Sequence, residues 1–345
     1  MKTYYIGVDL HCNNTEIAIE TKGHIEARYS LPTSISAIRK VLDSLQGKKY
    51  LAVEETTLAG WFYRNLHPYV DQLTVCDPRR NHLIAADGDT DDKIDAGKLA
   101  ALLRGGFLRP VHHSQDDRRI DLKQWISLYH RCVQNRSRQI CRMRANARSF
   151  GLEIPTRVIK NAQHRPTWLQ NQNLPALARQ LQTLWIGLDA TTRQIELARK
   201  YLQQFARSEP VIKQWNQLPG IGTVRALTLL AYLDTPYRFP SKSKLWKYCG
   251  IGLERSASGA DKFGNPKPAR LRMSSRRNGI LKNTILGAAH TAICAQENPF
   301  KTHYERMVKN GITPANARHT LARKLLTVIW GIWKSHSIYD LTRLG

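Results

Sequence analysis

The stretch "YYIGVDL" at residues 4–10 sets the frame for the first third of the chain. Aromatic and β-branched residues dominate it, so it is expected to be a strand. Two further runs, "TEIAIET" (15–21) and "HIEARYS" (24–30), alternate around a turn at Lys22-Gly23 and predict a hairpin. Then follow "SISAIRKVLDSL" (34–45) with helical spacing, a short apolar strand "KYLAVEE" (49–55), a helix over 58–69 and a strand "QLTVCD" (72–77). Three strands and then helices alternating with strands imply a mixed sheet covered by helices. Such sheets commonly place functional residues at strand ends and in the adjoining loops.

The 345 residues, 42% of them apolar, suffice for two or three domains, each with its own core. The formal net charge is +26 and the pI about 10.1. Residues 1–121 hold 16 Lys+Arg and 17 Asp+Glu, whereas the remainder holds 37 and 10, so the whole excess lies beyond Asp121. That division reads as a near-neutral domain joined to a polyanion-binding one. Nucleic acid is the default polyanion and an acidic membrane surface the weaker option. No apolar run approaches the roughly 18 to 20 residues that cross a bilayer, and the N-terminus enters a strand pattern in place of a signal peptide. The expectation is a cytoplasmic protein without a membrane partner. Cys12, Cys76, Cys132, Cys141, Cys249 and Cys294 show no CxxC or Cys/His ligand spacing, so neither disulfides nor zinc is indicated and the thiols are expected to be reduced and mostly buried.

From Leu122 to Gly151 one long helix is expected. Trp125, Tyr129, Cys132, Ile140, Met143, Ala147 and Phe150 form its apolar positions, and Lys123, Arg131, Arg136, Arg138, Arg142, Arg144 and Arg148 occupy others without a single Asp or Glu between. A merely solvated face would mix both signs, so phosphate binding is the favoured reading. Pro155, Pro166 and Pro175 mark a looser segment. After it, Leu174, Leu177, Leu181, Leu184, Leu188, Thr191, Ile195, Ala198, Leu202 and Phe205 alternate spacings of three and four, the pattern of a coiled-coil seam. Such a seam suits an antiparallel hairpin with the helix at 122–151, and also self-association; a homo-oligomer, dimer or tetramer, is expected. Beyond Val211 a basic, mainly helical region has helices near 223–233, 241–249, 278–296, 299–309 and 314–334. It opens with "LPGIGTVRALTLL" (218–230), where Gly220 and Gly222 make either a phosphate-holding turn of the helix-hairpin-helix kind or a plain inter-helix turn. The expected domains are 1–112, 113–210 and 211–345.

The acidic cluster "DTDDKIDAGKLAALL" (89–103) stands out in so basic a chain. Asp92 and Asp95, three apart at the start of a helix, project from nearly one face. One capping Asp explains one residue and not several, and clustered carboxylates repel unless a cation neutralises them. Asp9 lies inside an apolar strand, where a charge is costly without a partner, and Glu54 and Glu55 end the strand "YLAVEE". If the strands lie side by side, Asp9, a Glu and the two Asp converge on hard divalent ions, Mg2+ or Mn2+, which can align a phosphodiester for in-line displacement. Asp89 and Asp91 are then loop and capping residues.

The order Asp9, Glu54, Asp92, Asp95 on strand, strand and helix resembles the ribonuclease-H-like (RuvC-like) fold of Holliday-junction resolvases. More closely, "GVDL", "VEET" and "DDKIDA", with "LPGIGTVRALTLLAYL", "RFPSKSKLWKYCGIGLERSASG" and "RLRMSSRRNGILKN", resemble the DEDD-type insertion-sequence transposases, which include pilin-gene inverting and bridge-RNA-guided recombinases. The resemblance implies a ribonuclease-H-like catalytic domain, a central helical coiled coil and a mainly α-helical transposase domain. It implies catalysis by the four carboxylates with a serine nucleophile, Ser258 with Ser256 as the close alternative, that attacks a DNA phosphate and forms a phosphoserine link. Donor and target double-stranded DNA and a structured guide RNA are the implied partners. Arg255, Lys262, Lys267, Arg270, Arg272, Arg276 and Arg277 are phosphate-binding candidates by charge.

Glu55, Thr57 and Asp91 depart from the family pattern, as does "SSRRN" in place of a more Gly-containing form. Neighbouring residues on a strand point to opposite faces, so only one of Glu54 and Glu55 can serve, and the motif alignment selects Glu54. A resolvase-like nuclease, needing carboxylates but no serine, and a non-catalytic nucleic-acid-binding protein are the rival readings.

Overall fold

The computed structural model describes residues 1–78, 92–114, 116–256, 270–273 and 277–337. The chain divides into two compact units, residues 1–115 and 116–345, described in turn.

The first unit is built on five strands: β1 (Thr3–Leu10), β2 (Asn14–Thr21), β3 (His24–Pro32), β4 (Lys48–Glu54) and β5 (Gln72–Cys76). Their spatial order is β3-β2-β1-β4-β5, with β1 antiparallel to β2 and parallel to β4. This is the mixed sheet that the strand pattern predicts. The β2–β3 turn sits at Lys22-Gly23, both at positive φ. Helix α1 (Ile35–Ser44) starts where the Ser34 side chain accepts a hydrogen bond from the Ala37 amide, and α2 is Ala59–Leu66. One face of the sheet (Ile6, Val8, Ile17, Ile19, Leu51, Val53, Leu73, Val75) packs on Ile38, Leu42, Phe62 and Leu66 of these two helices.

The other face carries helix α3 (Asp92–Arg104), and it can do so because its central residues are small. A Cβ at Gly7 would overlap the Ala96 carbonyl oxygen and lie 2.6 Å from the Ala100 nitrogen. Ala18 and Ala52, the register partners of Gly7 on either side, are fully buried. Leu99 fills the space over Ala52 and Cys76. At the far end of α3, Arg104 pairs with Glu20, whose register partner is Tyr5 near the start of β1. The helix therefore runs antiparallel to β1, and its N-terminal turn approaches the C-terminal end of that strand.

The second unit is dominated by two long helices, α4 (Asp117–Arg148) and α7 (Pro175–Arg207). They lie antiparallel at a constant register, shown by Arg118 with Ser208, Trp125 stacked on Tyr201, Cys132 with Gln194, and Asn146 with Gln180. The expected seam is used here: Leu177, Leu181, Leu188, Thr191, Ile195, Ala198, Leu202 and Phe205 are buried, with Leu174 and Leu184 half-buried. Because α4 covers the seam within the chain, the seam by itself no longer argues for self-association. Helix α4 begins at Asp117, before the expected Leu122, because Asp116 caps it by accepting from the Arg118 amide.

The segment expected to be loose contains α5 (Thr156–Lys160) and α6 (Arg165–Gln172). Pro166 and Pro175 sit in the first turns of α6 and α7, where a missing amide hydrogen is harmless, so they start helices. Arg165 is almost wholly buried; both its terminal nitrogens reach the Asp189 carboxylate, at 2.6 and 2.7 Å. Then come α8 (Pro210–Trp215), α9 (Thr223–Leu233), α10 (Lys242–Tyr248), a hairpin of β6 (Leu253–Ser256) and β7 (Arg270–Met273), α11 (Gly279–Cys294), α12 (Pro299–Lys309) and α13 (Pro314–Ser335). Five of these helices, α9 to α13, fall within two residues of their predicted ends, but the hairpin and α8 carry too short a pattern to be read from sequence. One core joins Leu122, Ile126, Leu202 and Phe205 of the long pair to Trp215, Leu227, Leu281, Leu325 and Ile329 of the later helices.

No helix among the described residues is long and apolar enough to cross a membrane. All six cysteines are free, but only Cys76, Cys132 and Cys249 are buried; Cys12, Cys141 and Cys294 are exposed, contrary to the expectation of mostly buried thiols. Burial pushes the Cys249 thiol up to about 12, which leaves it an apolar filler.

Candidate functional site

Strand alternation decides which carboxylates share a face. Gly7 and Ala52 face α3, so Asp9 and Glu54, each two residues further along its strand, face the same side. The parallel register ends at Val8 opposite Val53, and Asp9 and Glu54 come next on these adjacent strands. Both are half-buried, whereas Glu55 lies past the end of β4 and is exposed. On α3, Asp95 directly precedes Ala96, the residue seated over Gly7. Asp92 is one turn nearer the C-terminal end of β1, at the first position of the helix, and its side chain lies outside the described residues. The backbone thus carries Asp9, Glu54 and the acidic turn of α3 toward one end of the sheet.

Three further details of this end are physical clues. Asp95 Oδ1 is shut from solvent without a hydrogen-bond partner, a costly state for a carboxylate oxygen. His11 Nε2 lies 3.0 Å from Asp9 Oδ2. Glu16, which is buried and pairs across β1–β2 with Asp9, accepts a 2.8 Å hydrogen bond from Asn14 Nδ2. Sequence reasoning passed over His11 and Glu16; the spacing of two along a strand from Asp9, and the β1–β2 register, are the signals that find them. Oxygen donors of this kind, one of them orphaned, fit a hard divalent cation such as Mg2+ or Mn2+. Among the described residues, no three His, Cys, Asp or Glu side chains are gathered closely enough to hold a metal.

In the second unit the serine region is a hairpin. Ser256 ends β6 opposite Arg270, and Leu253 pairs with Met273. Arg255, Arg270 and Arg272 stand on its strands, with side chains outside the description. Ser258, Lys262, Lys267 and Arg276 lie outside the described residues. The base of the hairpin is firmly held. Arg323 Nε donates to the Ile251 carbonyl at 2.8 Å, and the Asn278 amide donates to the Tyr248 carbonyl at 3.3 Å. Arg277 is exposed there and packs against Gly250.

The two glycines of the "LPGIG" turn have different tasks. Gly220, at φ +82°, could not carry a side chain, since a Cβ would overlap the Ala288 carbonyl oxygen of α11. It is thus a close-packing turn, and its own carbonyl accepts from Arg225 Nη1 at 2.7 Å. Gly222 caps α9 and has open space around it. It borders a cleft of about 290 Å³ with Arg199, Gln203, Thr223 and Arg225. On α4, Lys123, Arg131, Arg138, Arg142 and Arg148 are exposed, and Arg136 and Arg144 half-buried. None of these seven makes an ion pair among the described residues, which leaves a charged face without internal neutralisation.

Comparison with known proteins bears on the second unit most directly. A protein of Streptomyces coelicolor, the insertion element IS110 uncharacterized 43.6 kDa protein, is 24% identical to this chain over 155 residues. The aligned stretch is 45% of this chain and 36% of that protein, so the match spans about a third of the relative's length. Residues 213–305, from α8 through the hairpin and α11 into α12, match the sequence model of the Transposase IS116/IS110/IS902 family, and over this part the chain is similar to those transposases.

Proposed function

We propose that this protein is an insertion-sequence transposase of the IS110 type that cleaves and rejoins DNA strands. The observation that carries the reading is the family match over residues 213–305, which covers the turn, the hairpin and α11. The convergence of Asp9, Glu54 and the start of α3 at one end of the first unit's sheet supports a carboxylate site of the ribonuclease-H-like kind.

In this reading Asp9, Glu54, Asp92 and Asp95 hold Mg2+ or Mn2+, which when bound stabilises the charge that develops on the phosphate. Ser258, or its neighbour Ser256, attacks a DNA phosphorus. The serine oxygen forms the new phosphoester bond, the bond to the strand's bridging oxygen breaks, and that oxygen leaves as a hydroxyl after taking up a proton. Attack by a second strand's hydroxyl reverses these steps, rejoins the DNA and restores the serine. His11 beside Asp9 orients that carboxylate. The exposed cations of α4 hold phosphate backbone, of donor or target DNA or of a structured guide RNA whose pairing would supply sequence choice. A dimer or tetramer would bring two DNA partners together.

A resolvase-like nuclease would use the first unit alone; the family match in the second favours transposition. The test is a supercoiled plasmid carrying the element's ends, its target and its flanking non-coding segment, incubated with the protein and Mg2+. Excised or inserted products that vanish with EDTA are expected. A protein that binds the plasmid and yields no product under any divalent metal would make the binding-protein reading the better one.

A further inference from the structure

We propose that a cationic cluster on α11 and α13, formed around Lys282, Arg318 and Arg323, grips the phosphodiester backbone of the DNA strand being cut, at the base of the β6–β7 hairpin. The proposal rests on the transposase reading and deepens it. Neither the long basic helix nor the serine loop includes these residues; Lys282 falls within the run "RLRMSSRRNGILKN", whereas Arg318 and Arg323 lie beyond every motif quoted above.

Three observations place the cluster. Lys282 lies in the first turn of α11, its amide bonded to the carbonyl of Asn278 four residues earlier, and Asn278 caps that helix and ties to Tyr248 where the chain returns from the hairpin. Arg323 on α13 donates to Ile251, two residues before the hairpin's first strand. His319, one turn before Arg323 on the same face of α13, has an Nδ1 shut from solvent with no hydrogen-bond partner. The groups are close enough to act on one another. Burial, then Lys282, Arg323 and Arg318, hold the His319 imidazole below its ordinary range. A second set adjoins them: burial, Lys324 and Arg306 depress His303, and Arg306 Nη2 lies 3.0 Å from His303 Nδ1.

Such crowding of positive charge is unfavourable without an anion, and among the described residues no carboxylate pairs with Lys282, Arg306, Arg318 or Arg323. The stretch from Gly279 to Ser335 contains only two carboxylates, Glu297 and Glu305. Glu297 is bonded to Lys301 at 2.5 Å, and both act on that lysine. A row of phosphates would relieve the repulsion, and the row that belongs beside the serine hairpin is the strand to be cut.

The test compares full-length wild type with Lys282→Gln/Arg318→Gln, leaving Arg323 to hold Ile251. A control, Arg207→Gln/Lys213→Gln, removes equal charge from exposed positions on α7 and α8. Binding to a fluorescein-labelled DNA duplex is followed by anisotropy across a salt series, with an RNA duplex as the second arm. The cluster variant is expected to reduce the slope of log affinity against log salt by roughly two on DNA, and affinity by about 10- to 100-fold at moderate salt, while the control keeps the wild-type slope. Lys282→Arg/Arg318→Lys should also keep it, which separates lost charge from lost folding. An unchanged slope, an equal loss in the control, a loss in the charge-retaining variant, or a loss confined to RNA overturns the proposal. Recombination by wild type is scored separately; its failure counts against the transposase reading while the slopes still decide the cluster.

Discussion

Replacing Gly7 with valine is expected to unseat α3 and lower the stability of the first unit by about 3 kcal/mol, since a branched side chain would occupy the space of the Ala96 and Ala100 backbone. The obstacle is helix backbone, which cannot rotate aside as a flexible side chain can. A melting temperature lower by about 10 °C or more follows for a domain of this size. Strand cleavage should fall with it, because Asp95 reaches the end of β1 only while Ala96 rests on Gly7. Gly60→Ala in α2, where a new Cβ meets nothing within 4 Å, is the comparison; helix propensity should leave it neutral or stabilised by about 0.5–1 kcal/mol. Thermal denaturation of both variants checks the pair. Equal melting temperatures would mean that α3 is not seated as described.

Glu54→Gln is expected to reduce metal-dependent strand cleavage by about a hundredfold or more, and Glu55→Gln to leave it near wild type. The two residues are adjacent and chemically identical, so the contrast isolates direction. Glu54 follows Ala52 on the α3 side of the sheet beside Asp9, whereas Glu55 lies beyond the strand, exposed, with its amide bonded to the Cys76 carbonyl. Single-turnover cleavage rates at saturating Mg2+ read the difference. If Glu55→Gln is the damaging change, the carboxylate set is assembled on the other register.

Most of the first unit was legible because period-two alternation and the Lys22-Gly23 turn dictate the same sheet, whereas the small residues Gly7, Ala18 and Ala52 that seat α3 are recognised only from the structure. Strand order was not, since pairing is a long-range choice; it emerges only when β1 is found between β2 and β4. The seam of α7 was legible as a seam, but its occupant was not: spacings of three and four are the same whether α4 or another copy fills them. Gly220 reads in sequence as a turn glycine, and only the Ala288 carbonyl beneath it shows that packing demands it. The cations around His319 were invisible for a similar reason. Lys282 and Arg318 are separated by 35 intervening positions and meet through the packing of α11 on α13.

We propose that a carboxylate site in the first unit and a serine in the second serve one reaction. Denaturing the protein during reaction with a supercoiled substrate carrying the element's ends, then digesting it and sequencing the DNA-linked peptide by mass spectrometry, tests this directly. The wild type is predicted to yield a phosphoserine link within residues 256–258, and both Ser258→Ala and Asp9→Asn to abolish it. Cleavage that leaves free ends with no adduct, or an adduct that persists undiminished in Asp9→Asn, would contradict the account.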